Sequence, residues 1–132
     1  MDKVKILLID DEQDFLEVMT SRIESWGYDV TTASNGKDGL DLLVKDKPDI
    51  IILDYMMPDM DGVKALGQIR KIDKKIPVIM FTAHPDLDSM EKSEKLEVSF
   101  YVPKLTAYSD MQTGLKSALG IVEKKIKKEE VK

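Results

Sequence analysis

The chain contains no cysteine and a single histidine, His84, among its 132 residues. Without cysteine there is no disulfide, no thiolate chemistry and no cysteine-based zinc site, and one histidine excludes a histidine-rich metal cluster. No apolar run approaches the roughly 20 residues of a membrane span, and the N-terminus has no signal-peptide pattern. We therefore expect a cytoplasmic protein that has no membrane partner.

The chain also has no excess of positive charge. Lysine and arginine total 20 and aspartate and glutamate total 25, which gives a formal net charge of −5. This balance argues against direct binding to nucleic acid. The sequence has no glycine-rich phosphate loop, so it is not built to hold a nucleotide. Its 42% hydrophobic and 34% charged residues indicate a globular protein, long enough for one domain with a hydrophobic core.

The strongest local signal is the stretch 50–62, in which four branched apolar residues lead directly into Asp54. An unbroken apolar run of this kind is typical of a strand buried on both faces of a parallel sheet. The strand then delivers the Asp54 carboxylate to the C-terminal edge of the sheet, where open α/β sheets bind ligands. Taken alone, Asp54 fits a turn former or a helix cap equally well.

Predicted strands alternate with amphipathic helical stretches five times along the chain. The predicted strands cover residues 4–9, 28–33, 50–54, 78–82 and 98–102. Such alternation predicts an α/β fold, a doubly wound parallel sheet with helices on both faces and right-handed crossovers. The expected strand order is 2-1-3-4-5, an order already known among doubly wound sheets and one that the alternation by itself does not fix.

The apolar spacing also predicts which helix faces are buried. In the second helix we expect Leu40, Leu43 and Val44 to form the buried face. The fourth helix, over residues 86–96, has only Leu87 and Met90 as anchors. Because so small an apolar face holds a helix weakly, we expect this helix to be mobile.

Polar side chains follow four of the predicted strands. They are Asp10 with Asp11, Asp54, Thr82 and Lys104. Three carboxylates brought together repel one another, and all three stay ionised only if a cation lies among them. Oxygen ligands without histidine or cysteine favour a hard ion, Mg²⁺ first and Mn²⁺ second.

Lys104 and Thr82 add a positive charge and a hydroxyl for phosphoryl oxygens. The set suits in-line phosphoryl transfer onto the Asp54 carboxylate. Each residue has a plainer explanation: Asp10, Asp11 and Glu12 as acids that favour a helix N-terminus, and Lys104 as solvated surface. The coincidence of all of them at one sheet edge favours the site.

Several motifs of one family occur together here. They are residues 9–12 (Ile-Asp-Asp-Glu), residues 54–62, the Thr82-Ala83 pair, and Tyr101 three residues before Lys104. In this combination the chain resembles the receiver domain of two-component response regulators, from residue 3 to about 122. The resemblance implies a flavodoxin-like fold, with a receiver domain at 1–122 and a charged helical extension or tail at 123–132.

The resemblance implies that Asp54 accepts a phosphoryl group from the phosphohistidine of a sensor histidine kinase or phosphotransfer protein. It implies Mg²⁺ ligation by Asp10, Asp11, Asp54 and the backbone carbonyl of Met56. It further implies a signalling switch rather than a turnover enzyme, present as a monomer or a weak phosphorylation-dependent dimer.

The resemblance also assigns the switching residues. Thr82 and Lys104 would contact the phosphoryl group, and Tyr101 would turn inward after phosphorylation. This would change the surface of helix four, strand five and helix five, which an unknown downstream protein or domain reads. Met56 cannot hydrogen-bond the attacking water, so we expect a long-lived phosphate. His84 is expected to be a loop residue.

The sequence departs from the family at two places. Leu105 follows Lys104 where relatives usually have a proline with a cis bond, and Pro103 precedes it. Because a cis bond to a non-proline residue costs about 2.5–4 kcal/mol, we predict a trans Lys104–Leu105 bond, or a strained one, and an altered loop into the fifth helix. At Glu97 the expected glycine cap of the fourth helix is missing.

Two other functions stay in view. One is a receiver fold that acts as a phosphorylation-independent interaction module. The other is a metal-dependent phosphohydrolase of the haloacid-dehalogenase type. Those enzymes have a second aspartate two residues after the first, where this chain has Met56, and the chain has no cap insertion, so this function ranks last.

Overall fold

Five parallel strands form a single sheet with helices on both faces. The computed structural model describes residues 3–83, 86–104 and 108–131. The strands are β1 (Lys5–Ile9), β2 (Asp29–Ala33), β3 (Ile50–Asp54), β4 (Val78–Thr82) and β5 (Phe100–Pro103). The helices are α1 (Gln13–Ser25), α2 (Gly36–Asp46), α3 (Gly62–Ile72), α4 (Leu87–Lys95) and α5 (Tyr108–Val131). The strand order is β2-β1-β3-β4-β5, so the predicted fold class and order are confirmed.

The three central strands are apolar on both faces because helices cover both sides of the sheet. Alternate side chains contribute to two core clusters. On one face they pack with α1 and α5, and on the other with α2 and α3. No helix of the described residues is both long and apolar enough to cross a bilayer.

The strand register brings the predicted polar residues to one edge. Ile9 pairs with Leu53, so Asp10 and Asp54, each one residue further on, reach the same level. Thr82 pairs with Pro103, and the next residue is Lys104. The sequence prediction that these side chains meet at the C-terminal edge therefore follows directly from the observed pairing.

The predicted buried face of α2 is partly wrong. Leu43 is buried, but Val44 is 58% exposed. The helix lies against β1 through Gly39, while the buried Gly36 lies against the Met60 side chain in the loop before α3. A Cβ added at Gly39 would lie only 2.5 Å from Cδ1 of Ile9, so the helix backbone approaches β1 closely and turns Val44 to solvent.

The predicted anchors of α4 are wrong. Leu87 and Met90 are 72% and 41% exposed, and the buried residues of this helix are Ser89 and Ser93. The Ser93 hydroxyl has no hydrogen-bond partner within the part of the chain that the structure describes. A buried face made of small polar side chains removes little apolar surface from water, so apolar burial contributes little to the attachment of α4. The mobility of this helix stays a prediction.

The C-terminus of α4 forms a glycine-type cap without glycine. Glu97 has a φ of 58°, in the left-handed region. Its N–H donates to the Glu94 carbonyl and the Val98 N–H to the Ser93 carbonyl, as in a Schellman motif. This cap takes up residues 97 and 98, which explains why β5 begins at Phe100, two residues later than predicted.

The Arg70 side chain of α3 stabilises the turn at the C-terminus of α4. Its guanidinium donates to the carbonyls of Leu96, Glu97 and Ile76 at 2.8, 2.9 and 2.7 Å. These bonds join the end of α4 to the segment that enters β4. The sequence reasoning did not single out Arg70, because its acceptors are backbone carbonyls and leave no residue pattern.

We expect Arg70→Ala to lower the free energy of unfolding by about 2–3 kcal/mol, because these three carbonyls and that of Asp73 lose a charged donor. Arg70→Lys should recover less than half of this loss, since an ammonium cannot reproduce the planar fork of donors. Urea unfolding measures both. The exposed Arg22 of α1 provides a control, with an expected change within about 0.5 kcal/mol for Arg22→Ala. Equal stability of the Arg70 and Arg22 variants would contradict the role given to Arg70.

The last helix continues in one piece from Tyr108 to Val131. The Tyr28 hydroxyl donates to Oε1 of Glu123 at 3.4 Å, which links the far part of α5 to the start of β2. The division of the chain at residue 122 stays a prediction.

Candidate functional site

The ammonium group of Lys104 lies between two buried carboxylates. Its Nζ donates to Oδ2 of Asp10 at 2.7 Å and lies 3.2 Å from Oδ1 of Asp54. A third carboxylate oxygen, Oε1 of Glu12, is 3.7 Å away. The structure places Asp10, Asp54 and Lys104 together at one sheet edge, as the sequence predicted.

Hydrogen bonds hold the backbone at Lys104 and Asp10 in place. The Lys104 N–H donates to the carbonyl of Thr82, and the Asp10 N–H donates to that of Ala33 at 3.1 Å. The second oxygen of Asp10, Oδ1, accepts the N–H of Glu12 at 2.9 Å. Asp10 is therefore held on both oxygens, by Lys104 and by the turn that leads into α1.

The buried carboxyls of Asp10 and Asp54 both have raised pKa values. Burial, followed by the charge of Asp10, raises the pKa of Asp54 to about 6, and Lys104 only partly opposes this. Burial also raises the pKa of Asp10 against the hydrogen bond from Lys104. Although burial disfavours the ammonium, its contacts with Asp10 and Asp54 raise the pKa of Lys104. The site therefore has more negative charge than its lysine balances.

A candidate cation site lies beside the lysine. Carboxylate oxygens of Asp10, Asp11 and Glu12 all lie within 4.8 Å of one another, with Asp10 buried and the other two exposed. The charge of Asp11 also raises the pKa of Asp54. These donors are all oxygens, a set that fits a hard divalent cation.

The loop after β3 places Met56 next to Asp54, with its side chain exposed. The N–H of Gly62 donates to the Tyr55 carbonyl at 2.7 Å and closes this loop. A Cβ at Gly62 would lie 2.7 Å from Cα of Tyr55, so only glycine fits at this close approach.

The two predicted switching residues lie at different depths. Thr82 is fully buried at the end of β4. Tyr101 is half-buried in β5, and its hydroxyl lies 2.6 Å from Oγ of Ser89 on α4. Tyr101 is thus attached to α4, outside the cluster around Lys104.

Three sequence predictions fall on residues outside those described. They concern the loop position of His84, the effect of Leu105, and the trans Lys104–Leu105 bond.

The sequence reasoning missed two neighbours of Lys104. Glu12 was treated only as part of a motif and as an acid that favours a helix N-terminus, and Phe15 was assigned no part in the site. The ring of Phe15 lies beneath the ammonium, with Nζ 4.3 Å from the ring centroid. Its place one helical turn after the acidic run was the available signal.

Comparison with known sequences agrees with this geometry. The model of the response regulator receiver domain family matches residues 6–116. Sporulation initiation phosphotransferase F of Bacillus subtilis is 31% identical over 115 residues, which are 87% of this chain and 93% of that protein. The probable transcriptional regulator ycf27 of Guillardia theta is 35% identical over 117 residues, 89% of this chain and 46% of the relative. The chain thus spans about half the length of several curated relatives.

Solved structures give the same result. A response regulator receiver domain from Clostridium thermocellum has a TM-score of 0.85 at 31% identity, covering 94% of this chain and 97% of the other. A CheY-like receiver domain from Methanospirillum hungatei has a TM-score of 0.83 at 25% identity, covering 94% and 99%. The family match over most of the chain, the shared fold and the acidic edge lead to one conclusion. The chain belongs to the response regulator receiver domain family of two-component signalling.

Proposed function

We propose that Asp54 accepts a phosphoryl group from the phosphohistidine of a sensor histidine kinase or phosphotransfer protein. The observation that carries this proposal is the Lys104 ammonium, which contacts Asp10 and Asp54 at 2.7 and 3.2 Å at one sheet edge. In this position the ammonium faces both the nucleophile and the place of the incoming phosphoryl oxygens. The curated phosphotransferase relative, covered over nearly its whole length, supports the same chemistry.

The acidic edge would hold Mg²⁺, with Mn²⁺ as the alternative. Its ligands would be carboxylate oxygens of Asp10, Asp11 and Asp54 and the backbone carbonyl of Met56. The bound cation would neutralise carboxylate and phosphoryl oxygens. The raised pKa of Asp54 supports this assignment, because two poorly compensated carboxylates gain most from an added positive charge.

The transfer itself uses the chain's own side chains. A carboxylate oxygen of Asp54 attacks phosphorus, the P–N bond of the phosphohistidine breaks, and its electron pair stays on the imidazole. Lys104 moves its ammonium from Asp54 to a phosphoryl oxygen, and the Thr82 hydroxyl donates to another.

The output would be a change in the surface of α4, β5 and α5. Tyr101 is joined to α4 through Ser89, and α4 is buried mainly through two serines. Movement of Thr82 towards a phosphoryl group would free space for Tyr101, and α4 would follow. A downstream protein, or a domain attached to this one, would read the changed surface.

The direct test is intact-protein mass spectrometry after incubation with Mg²⁺ and a small phosphodonor such as phosphoramidate. We expect one added phosphate in the wild type, none in Asp54→Asn, and none in wild type with EDTA. Asp41→Asn removes an exposed acid of α2 and should still gain the phosphate. No gain in the wild type supports the interaction module, and continuous release of free phosphate supports the hydrolase.

We expect Met56→Asn to shorten the lifetime of the phosphorylated protein several-fold. The amide would hydrogen-bond the water that attacks the aspartyl phosphate, which the methionine side chain cannot do. The measurement is the loss of added phosphate mass with time after the phosphodonor is removed. Met90→Asn, at an exposed methionine of α4, is the matched control. An unchanged lifetime in Met56→Asn would contradict the role of this position.

A further inference from the structure

The ring of Phe15 forms a surface on which the reactive lysine rests. Phe15 is 8% exposed on α1, and Nζ of Lys104 lies 4.3 Å from its ring centroid. The ring also meets the ring of Phe81 edge-on, with centroids 6.1 Å apart and planes at 75°. Because Phe81 directly precedes Thr82 in β4, this pair joins the ring under the lysine to the strand that carries the site hydroxyl.

The contacts of the ammonium show what the ring contributes. An ammonium has three N–H donors and no acceptor. Asp10 and Asp54 take two directions, at 2.7 and 3.2 Å, and the exposed Glu12 lies further away at 3.7 Å. The remaining side of the group faces the Phe15 ring, whose π face attracts cations. The carboxylate contacts depend on direction, whereas attraction to a ring face changes little as the cation moves across it.

We propose that Phe15 is a positioning residue that keeps the Lys104 ammonium beside Asp54 while the lysine exchanges a carboxylate partner for a phosphoryl oxygen. This inference rests on the proposed function, because it assigns Phe15 a part in the phosphorylation of Asp54. During the exchange Lys104 loses its contact with Asp54 before the new contact is complete. The ring maintains an attractive, water-excluding contact throughout this movement.

The test replaces Phe15 by phenylalanines with one, two and three ring fluorines, incorporated site-specifically. Fluorine weakens the negative face of the ring while its size and burial stay nearly constant. We expect the rate of phosphorylation by phosphoramidate to fall stepwise with fluorine number, by about 2- to 30-fold in the trifluoro protein. Phe15→Tyr should keep most of the rate, and Phe15→Leu should resemble the trifluoro protein.

The matched control is the same series at Phe100, a half-buried ring of β5 that packs against the core. Among the described residues, a lysine lies over a ring only at Phe15. We therefore expect no dependence of the rate on fluorine number at position 100.

A second readout does not depend on phosphorylation. The Cε protons of Lys104 should show an upfield NMR shift from the Phe15 ring current, lost in Phe15→Leu. A normal shift of these protons in the wild type would overturn the proposal. So would a rate that is independent of fluorination while the wild type still gains phosphate. If no variant gains phosphate, including the wild type, it is the proposed function that fails.

Discussion

Replacing Lys104 with methionine should lower the free energy of unfolding by about 3–5 kcal/mol at neutral pH in EDTA. The substitution keeps the apolar stem but leaves Asp10 and Asp54, 1% and 3% exposed, without their shared counter-charge. Removing one partner of a buried ion pair costs more than the pair contributes, because the remaining charges stay buried. Urea unfolding followed by circular dichroism measures the loss.

Two variants test this explanation. Adding Asp54→Asn to Lys104→Met removes one of the uncompensated charges and should restore about half of the loss. Lys92→Met breaks an exposed ion pair with Asp88 on α4 and should change stability by less than about 1 kcal/mol. Mg²⁺ should stabilise Lys104→Met more than the wild type, since the added cation replaces the missing charge. A loss below about 1 kcal/mol for Lys104→Met would show that the lysine does not compensate these carboxyls.

Asp54→Asn should have the opposite effect and stabilise the protein by about 1–3 kcal/mol at pH 7.5 in EDTA. The pKa of Asp54 is raised from 3.8 to about 6. Between these values the folded protein binds a proton that the unfolded chain releases, so stability falls as the pH rises through this window. The full difference corresponds to about 3 kcal/mol, and the asparagine recovers less because it loses the charged contact with Lys104.

The measurement compares urea unfolding at pH 4 and pH 7.5 for both proteins. The gain from Asp54→Asn should be present at pH 7.5 and absent at pH 4, where the wild-type carboxyl is protonated. Asp59 is a control of the opposite sign, because backbone N–H groups of Gly36 and Lys37 lower its pKa. Asp59→Asn should therefore be less stable than the wild type at pH 7.5. A pH-independent gain for Asp54→Asn would mean that its carboxyl is not the source.

The sheet and its polar edge were predictable because they depend on unbroken apolar runs. Residues 50–54 and 78–82 match their strands to the residue, and the polar residues that follow the runs define the site. Parallel pairing then brings Asp10, Asp54 and Lys104 together regardless of the loops between them. The location of these three side chains at one edge of the sheet was therefore predictable from the sequence.

The helix faces were less predictable because small side chains carry no apolar signal. Counting apolar residues placed Leu87 and Met90 inside, but the serines of α4 are buried because they allow close packing. In α2, glycine contact with Ile9 decided the rotation of the helix and exposed Val44. The left-handed conformation of Glu97 depends on the local backbone, and the position of the Phe15 ring under Lys104 depends on packing between distant elements. Neither feature leaves a residue pattern in the sequence.

Arg70 gives α4 unequal attachment at its two ends. The C-terminal end is bound through the carbonyls of Leu96 and Glu97 to a guanidinium on α3, whereas the first turn is held by the Asp86 cap and the Ser89–Tyr101 contact. A helix that is held firmly at one end rotates about that end. Reorientation of α4 would therefore be a swing of its first turn about a pivot at Leu96, with displacement greatest around the exposed Leu87 and smallest near Arg70.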